Sequence, residues 1–400
     1  MDFDIHDYSL FDEIGPEKII CLNNPIVDMK AVIVIDNSFY GTSAGGLRLA
    51  PDITVDEMIR LARAMTLKFG SYKIPTGGAK AGIWGDPQDL EKKSILLTSF
   101  AESIEPFIKN YIYYPGPDMG TDDNDLLKIF NIVKLPNLAP KKIGLYKDGV
   151  PVEELFTGYG VIYCLEVIYQ NLEKLTSKKV EHTQKPRVLL EGFGKVGTAL
   201  AMSLQELGFN LMGISTLNGA IYDEDGLNVE KLLDLKSTYG DELVNHYESK
   251  NLIRVPKEKL FGLSSEYPIE FIIPGARPDV INRNNIDKIE AISIIPAANI
   301  PYEKGIMESL KEKKIIAFPD FVVNAGEVLA IYIGKAAKNI DEIFEYIKSK
   351  ITEKTLEVIR GSVENKISVY GYAVESALRD VKKKIQRKKN SLEKLNQKFS

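Results

Sequence analysis

Apolar positions along this chain follow two patterns. Short runs bounded by turn residues predict buried strands: KAVIVI (30–35), RVLLEGFG (187–194), FNLMGIST (209–216), IEFIIPGA (269–276), AISIIPAAN (291–299) and IIAFPDFVVNAGE (315–327). Between them the spacing turns helical. Thr54 with Glu57 three residues on predicts a capping-box start, and Met58, Leu61, Met65 and Lys68 then share one helical face. Residues 88–109, 153–172 and 195–208 also read as helices, and from Ile340 the pattern is helical and charged. GTSAGGLRLAP (41–51) reads as a Gly-rich loop, IPTGGAKAGIWGDP (74–87) as a turn entering a short strand, and the polar residues 173–186 as a connection. Strands alternating with helices predict α/β architecture with a parallel sheet covered on both faces. The expected division is 1–150, 151–335, and a C-terminal helical stretch, 336–400.

Composition narrows the function class. The 400 residues are 44% apolar and 27% charged, and 51 Lys plus Arg against 56 Asp plus Glu leave a net charge of −5. No strong basic field draws nucleic acid. The basic tail KKKIQRKKNSLEKLNQK reads as a solvated helix end. No uncharged apolar run approaches the roughly 18 residues of a membrane span, and MDFDIHDYSLFDE is acidic where a signal peptide is basic. The expectation is a cytoplasmic chain without membrane or nucleic-acid partners. Cys21 and Cys164 lack neighbours at metal-ligand spacing and read as buried thiols, so no metal is expected. Histidine occurs only at 6, 182 and 246, so acid–base chemistry falls to Lys, Asp, Glu or Tyr.

VLLEGFGKVG contains GxGxxG as Gly192, Gly194 and Gly197, between a predicted strand and a predicted helix. Gly192 suits a tight turn, Gly194 a close backbone approach to a pyrophosphate, and Gly197 close helix packing. Phe193, Lys195 and Val196 complete the loop, and the helix amino end would receive the anion. The next strand ends Ile214-Ser215-Thr216-Leu217-Asn218, with no acid for a ribose 2′-hydroxyl, and no Lys or Arg lies between Met212 and Glu230 to attract a 2′-phosphate. The choice between NAD and NADP stays open.

Lys68 ends an apolar helical stripe, and Lys80 follows Gly77-Gly78-Ala79. Taken singly, each lysine reads as a snorkelling surface residue, and Asp118 in YPGPDMGT as a turn aspartate. With a dinucleotide fold they describe a site. A desolvated ammonium either holds a substrate carboxylate or, with its pKa lowered, transfers protons, and two lysines in one pocket favour that lowering.

GGLRLAP, LARAMTLK, IPTGGAKAGI, GPDMGT, FTGYGV, GFGKVG and NAGEV occur in this order. The set resembles the glutamate/leucine/phenylalanine/valine dehydrogenase family over about residues 15–340. The resemblance implies an N-terminal substrate and oligomerisation domain, a Rossmann-type domain, a cleft between them, and C-terminal helices returning to the first domain. It implies NAD(P)-linked, reversible oxidative deamination of an L-amino acid to a 2-oxo acid and ammonia by a homo-oligomer, hexameric or octameric. Lys68 would hold the α-carboxylate, Lys80 would activate water, and Asp118 would shuttle protons at the amino nitrogen. Thr157 and Asn324 would position the nicotinamide, and Asn299 would reach its ribose.

The resemblance also places specificity positions. Glutamate enzymes of the family carry a lysine just before the GG of GGxR, where this chain has Ala44 ahead of Gly45 and Gly46. They carry a serine three residues after the valine of NAGGV, where this chain has Val328 and then Ile331. Apolar residues at both positions imply a branched-chain or aromatic substrate. The alternatives are a glutamate dehydrogenase with another carboxylate anchor, for which Arg48, Lys73 and Arg277 are candidates, and a catalytically silent dinucleotide-binding homologue. Glu327 in NAGEV and KDGVPVEEL before FTGYGV depart from the family pattern.

Overall fold

The computed structural model describes residues 11–139, 146–147, 150–176, 185–334 and 336–399. His6 and His182, and parts of the predicted connection and of KDGVPVEEL, lie outside them. Two compact units emerge: Met1–Ile143 with Val374–Ser400, and Gly144–Ala373.

The first unit contains β1 (Lys18–Asn24), β2 (Met29–Ile35), β3 (Ser43–Ala50), α1 (Val55–Ser71), β4 (Gly77–Trp84), α2 (Leu90–Lys109), β5 (Tyr113–Pro117) and α3 (Asp123–Ile132). Its sheet runs β1-β2-β4-β3-β5, with β3 parallel to β4 and β5, and the other pairs antiparallel. The Gly-rich segment expected as a loop is therefore an inner strand. Its glycines mimic a loop signal, but neighbours on both sides satisfy the backbone of this segment. Side chains alternate across β4. Ala79, Ala81 and Ile83 join Leu96, Phe100, Ile104, Leu126 and Phe130 in the core under α2 and α3. Gly78 and Gly82 face the other way: a Cβ at Gly78 would strike Ala62 O and the Thr66 hydroxyl, and one at Gly82 would meet Ile53 and Met58. That second face carries Lys80.

Helix α1 starts as predicted, with the Thr54 hydroxyl accepting from Glu57 N at 3.1 Å. The Glu57 carboxylate does not close the box; it binds Arg48. A buried polar relay fixes α1 against β4. Thr66 Oγ1 donates to Asp36 Oδ2 at 2.5 Å and accepts from Gly78 N at 3.2 Å and Asn37 Nδ2 at 2.9 Å, while Arg63 grips both Asp36 oxygens. Thr66 and Gly78 each lie two residues from a predicted site lysine. Cys21 corrects another expectation: β1 is an edge strand, and alternation puts this thiol at the surface.

The second unit opens with the hairpin β6 (Tyr146–Lys147) and β7 (Val150–Pro151), then α4 (Val152–Gln170) and α5 (Leu172–Thr176). It continues β8 (Arg187–Leu190), α6 (Lys195–Glu206), β9 (Asn210–Thr216), β10 (Gly219–Asp223), α7 (Val229–Tyr239), α8 (Leu243–His246), β11 (Leu252–Val255), β12 (Phe271–Ile273) and β13 (Ser293–Ile294). Next come α9 (Met307–Glu312), β14 (Ile316–Ala317), α10 (Asp320–Val323), α11 (Gly326–Gly334) and α12 (Ile340–Asn365). Its sheet order is β11-β10-β9-β8-β12-β13-β14. The five strands from β9 to β14 are parallel, as predicted, whereas β10 and β11 add an antiparallel edge. A tight Leu217-Asn218 turn reverses the chain there. Cys164 is buried on α4; Thr355 Oγ1 donates to its sulfur at 3.3 Å, and burial pushes the thiol up to about 12.

The stretch 336–400, expected as one block, divides: α12 belongs to the second unit, and α13 (Val369–Phe399) crosses the division. Among the described residues no helix is long and apolar enough to cross a membrane, and no cluster of three His, Cys, Asp or Glu side chains is arranged to hold a metal.

Candidate active site

In the first unit, pairing between β3 and β4 is interrupted. Ser43 and Ala44 pair with Gly77 and Gly78, and Leu47 to Ala50 pair with Ala81 to Trp84, leaving Gly45 and Gly46 opposite Ala79 and Lys80. Glycine is needed there. A Cβ on Gly45 would overlap Ala79 O at 1.6 Å, and one on Gly46 would sit 2.9 Å from Lys80 Nζ and 2.8 Å from Asp118 Cβ. The missing side chain at Gly46 therefore lets Lys80 and Asp118 pack directly against the strand. Gly46→Ala is expected to lower turnover by about tenfold to a hundredfold, a displacement effect, and to lower the melting temperature as the added methyl pushes Asp118 and Lys80 aside; steady-state rates and calorimetry check both.

Lys80 is only 3% exposed, and its Nζ lies 2.5 Å from Asp118 Oδ2. Asp118 follows β5, where Thr121 Oγ1 accepts from its N–H at 3.1 Å. Arg48, on β3, donates Nε to the same Oδ2 at 3.1 Å and pairs through Nη1 with Glu57. Desolvation lowers the Lys80 pKa, Arg48 lowers it further, and Asp118 pulls the other way; the net shift is downward. Burial alone would raise Asp118, but the Lys80 and Arg48 charges hold it well below the carboxylate range. Desolvation outweighs Arg48 at Glu57, whose pKa rises.

Lys68 is buried near the end of α1. Burial of both lysines corrects the single-residue reading of surface groups. Ala44 is half-buried on β3, Lys73 is exposed, and Arg48 is committed to two carboxylates.

Sequence reasoning left Arg48 unplaced. Its motif neighbours Gly45 and Gly46 were a signal, but the carboxylate partners come from α1 and from beyond β5. Arg48→Met should shift the acidic limb of the rate profile to higher pH, because losing a neighbouring cation makes Lys80 easier to protonate. An unshifted limb counts against this coupling.

The second unit supplies the glycine-rich turn. Gly192 has φ +84°, and a Cβ on Gly197 would strike Gly192 O at 2.0 Å, so both need glycine. A Cβ on Gly194 would meet nothing within 4 Å, leaving open space over the start of α6. Gly194 caps α6 without a side-chain acceptor, and no acid lies in the first turn. These features suit a pyrophosphate. Phe193 turns into the core, so only its backbone faces the loop; Lys195 is exposed and Val196 half-buried. Thr216 is buried, and its hydroxyl donates to Asp241 O at 2.7 Å.

Asn324 Nδ2 donates to Ala297 O at 3.1 Å and Asn299 Oδ1 at 3.0 Å, while its Oδ1 is buried without a partner. Such an oxygen costs about 1–3 kcal/mol unless something donates to it. Close packing of Gly326 on Phe156 and Thr157 brings Thr157 to the same region. Ile300, after Asn299, takes φ +44°, unusual for a β-branched residue, with its N–H held by Asp320 Oδ2 at 2.8 Å. The orphaned oxygen and open Gly194 fit a dinucleotide with an amide-bearing ring. Val328 is half-buried on α11, Glu327 is exposed, and Ile331 is 66% exposed. Glu191 went unremarked in the sequence. Its Oε2 accepts from Gly275 and Ala276 N–H at 3.2 Å each, bracing the loop after β12.

The parallel sheet, the glycine turn and the buried lysine–aspartate pair define an α/β fold of the amino-acid dehydrogenase class. Family models match twice: residues 18–134 fit the Glu/Leu/Phe/Val dehydrogenase dimerisation domain, and residues 149–389 fit Glutamate/Leucine/Phenylalanine/Valine dehydrogenase. The chain belongs to this family. It is 31% identical over 306 residues to the NADP-specific glutamate dehydrogenase of Saccharolobus shibatae, covering 74% of this chain and 68% of that protein. It is 26% identical over 339 residues to the NAD-specific glutamate dehydrogenase of Staphylococcus aureus, with 82% and 77% covered. The fold matches the hetero-hexameric glutamate dehydrogenase from Thermus thermophilus in its Leu bound form, at TM-score 0.77 and 21% identity over 94% and 91% of the chains. It also matches L-tryptophan dehydrogenase from Nostoc punctiforme, at TM-score 0.61 and 20% identity over 94% and 98%.

Proposed function

We propose that this protein is an NAD(P)-dependent dehydrogenase that reversibly deaminates an L-amino acid with an apolar, branched-chain or aromatic side chain. The observation carrying this reading is the buried Lys80–Asp118 pair packed against Gly46 and joined by Arg48. Nicotinamide, when bound, supplies the acceptor for the Cα hydride. Asn324 Oδ1 and Thr157 would orient the carboxamide, Asn299 the ribose, and the turn from Gly192 to Gly197 the pyrophosphate.

Lys68 would hold the substrate α-carboxylate as a buried point charge. Asp118, kept ionised by Arg48 when Lys80 is neutral, would accept a proton from the substrate ammonium, leaving the amine lone pair free to expel hydride from Cα. Lys80 in its neutral form would then take a proton from water as that water adds to the iminium carbon, return it to the amine, and accept the carbinolamine hydroxyl proton as ammonia departs and the carbonyl forms; Lys80 and Asp118 finally release their protons to solvent. The products are a 2-oxo acid and ammonia.

Apolar specificity rests on Ala44, on Ile331, and on Arg48 being engaged by Asp118 and Glu57, so it offers no anchor for a distal carboxylate. A second reading, glutamate as substrate, is favoured by the names of the relatives. Rates of reduced-cofactor formation with leucine, phenylalanine, tryptophan and glutamate, each with NAD and NADP, decide between them; no turnover with any amino acid counts against both. We also propose a homo-oligomer, hexameric or octameric, measurable by light scattering.

A further inference from the structure

We propose that Glu242 makes this protein select NAD over NADP, an inference that rests on the reading of the second unit as dinucleotide-binding. In a βαβ dinucleotide unit the adenosine ribose lies beyond the carboxyl end of the second strand. Here that end is Thr216, and the sequence immediately after it offers neither acid nor base. The tertiary structure brings charge from elsewhere. After α7, the turn at 240–242 folds against the end of β9, with Thr216 Oγ1 donating to Asp241 O at 2.7 Å.

Lys236, Asp241 and Glu242 lie at this turn, and Arg254, which reaches Asn245 O at 3.4 Å, is paired with Glu248 at 2.9 Å. Lys236 Nζ lies 2.5 Å from Asp241 Oδ1, so these two offset each other. Glu242 receives neutral donors instead: Asn218 Nδ2 on Oε1 and Asn245 Nδ2 on Oε2, each at 2.5 Å. Lys236 and Arg254 at +1 each against Asp241, Glu242 and Glu248 at −1 each leave −1 near the end of β9. The two asparagines hold the carboxylate in place without cancelling its charge. Asn218 itself belongs to the turn following Thr216, so Glu242 is tied directly to the position where the second ribose hydroxyl is read.

A carboxylate fixed at this point has two effects. It can accept a hydrogen bond from a free 2′-hydroxyl, and it repels a 2′-phosphate, which carries about −1.5 to −2 near neutral pH. Lys236 does not reverse this, because Asp241 already engages it. NAD is therefore the cofactor that the charge at this turn admits.

Direct binding of NADH and NADPH to the full-length protein, followed by nicotinamide fluorescence, tests the proposal without turnover. NADH should bind at least about tenfold more tightly, equivalent to about 1.4 kcal/mol. Glu242→Gln keeps the shape but exchanges a charge-assisted acceptor for a neutral one, so it should weaken NADH binding about threefold to tenfold while tightening NADPH about tenfold. Glu242→Lys, at this exposed position, should invert the preference. Equal or tighter NADPH binding by the unaltered protein, or an unchanged ratio in both variants, overturns the role of Glu242. Tighter NADPH binding that is lost in Lys236→Met would assign the site to that lysine instead. Binding of neither dinucleotide would overturn the dinucleotide reading itself, and this inference with it.

Discussion

Replacing Lys80 by alanine is expected to lower kcat about 10²–10⁴-fold, the contribution of a positioned proton-transfer group. NADH should still bind, because the glycine turn lies in the other unit. The variant should also melt lower, since removing one member of a buried pair leaves Asp118 leaning on Arg48 alone. Rapid-mixing measurements of the hydride step, beside nicotinamide-fluorescence titrations, separate chemistry from binding. Turnover within about threefold of the unaltered protein would remove Lys80 from the proposed mechanism.

The same lysine sets the pH profile. Its pKa is lowered from 10.5, first by desolvation and then by Arg48. The neutral amine is the active form, so deamination should rise with pH through that lowered value and fall away below it as Lys80 takes up a proton. Asp118, paired with Arg48 in either form of Lys80, stays ionised across this range and adds no limb of its own. A limb centred at the ordinary lysine value would mean that the amine is hydrated during turnover.

Ala44→Lys should carry the largest change in specificity. Position 44 is half-buried on β3, two residues before Gly46. An unpaired buried carboxylate costs about 3–5 kcal/mol, and a partner cation recovers much of that, so kcat/KM for glutamate relative to leucine should rise by about a hundredfold. The lysine also places an ammonium where an apolar side chain would sit, which should reduce the leucine rate. If the unaltered protein already prefers glutamate, and Ala44→Lys leaves that preference unchanged, the distal carboxylate is held elsewhere and apolar selectivity is wrong.

Local sequence signals carried much of this structure, each for a local reason. The Thr54 cap, the stripe from Met58 to Lys68 and the turn at Gly192 depend on residues three or four apart, so spacing alone displays them. Segment 43–50 departs from the loop expectation because its glycines serve close strand packing rather than a turn, and the crowding atoms, Ala79 O and Lys80 Nζ, lie over thirty positions away in the chain. Cys21 was misread because an apolar run does not say whether its strand is central or at an edge.

The chain's order of residues determined the α/β class, the glycine turn at 192–197, and the lysines and aspartate on which the chemistry is proposed to rest, because periodicity and motif spacing are properties of neighbours. Folding alone decided that Arg48 joins Asp118 to Glu57, that Asn324 presents an unsatisfied oxygen, and that Glu242 stands at the end of β9. Charge and desolvation act through space over a few ångströms, and segments far apart in the chain come within that range only when the sheets form.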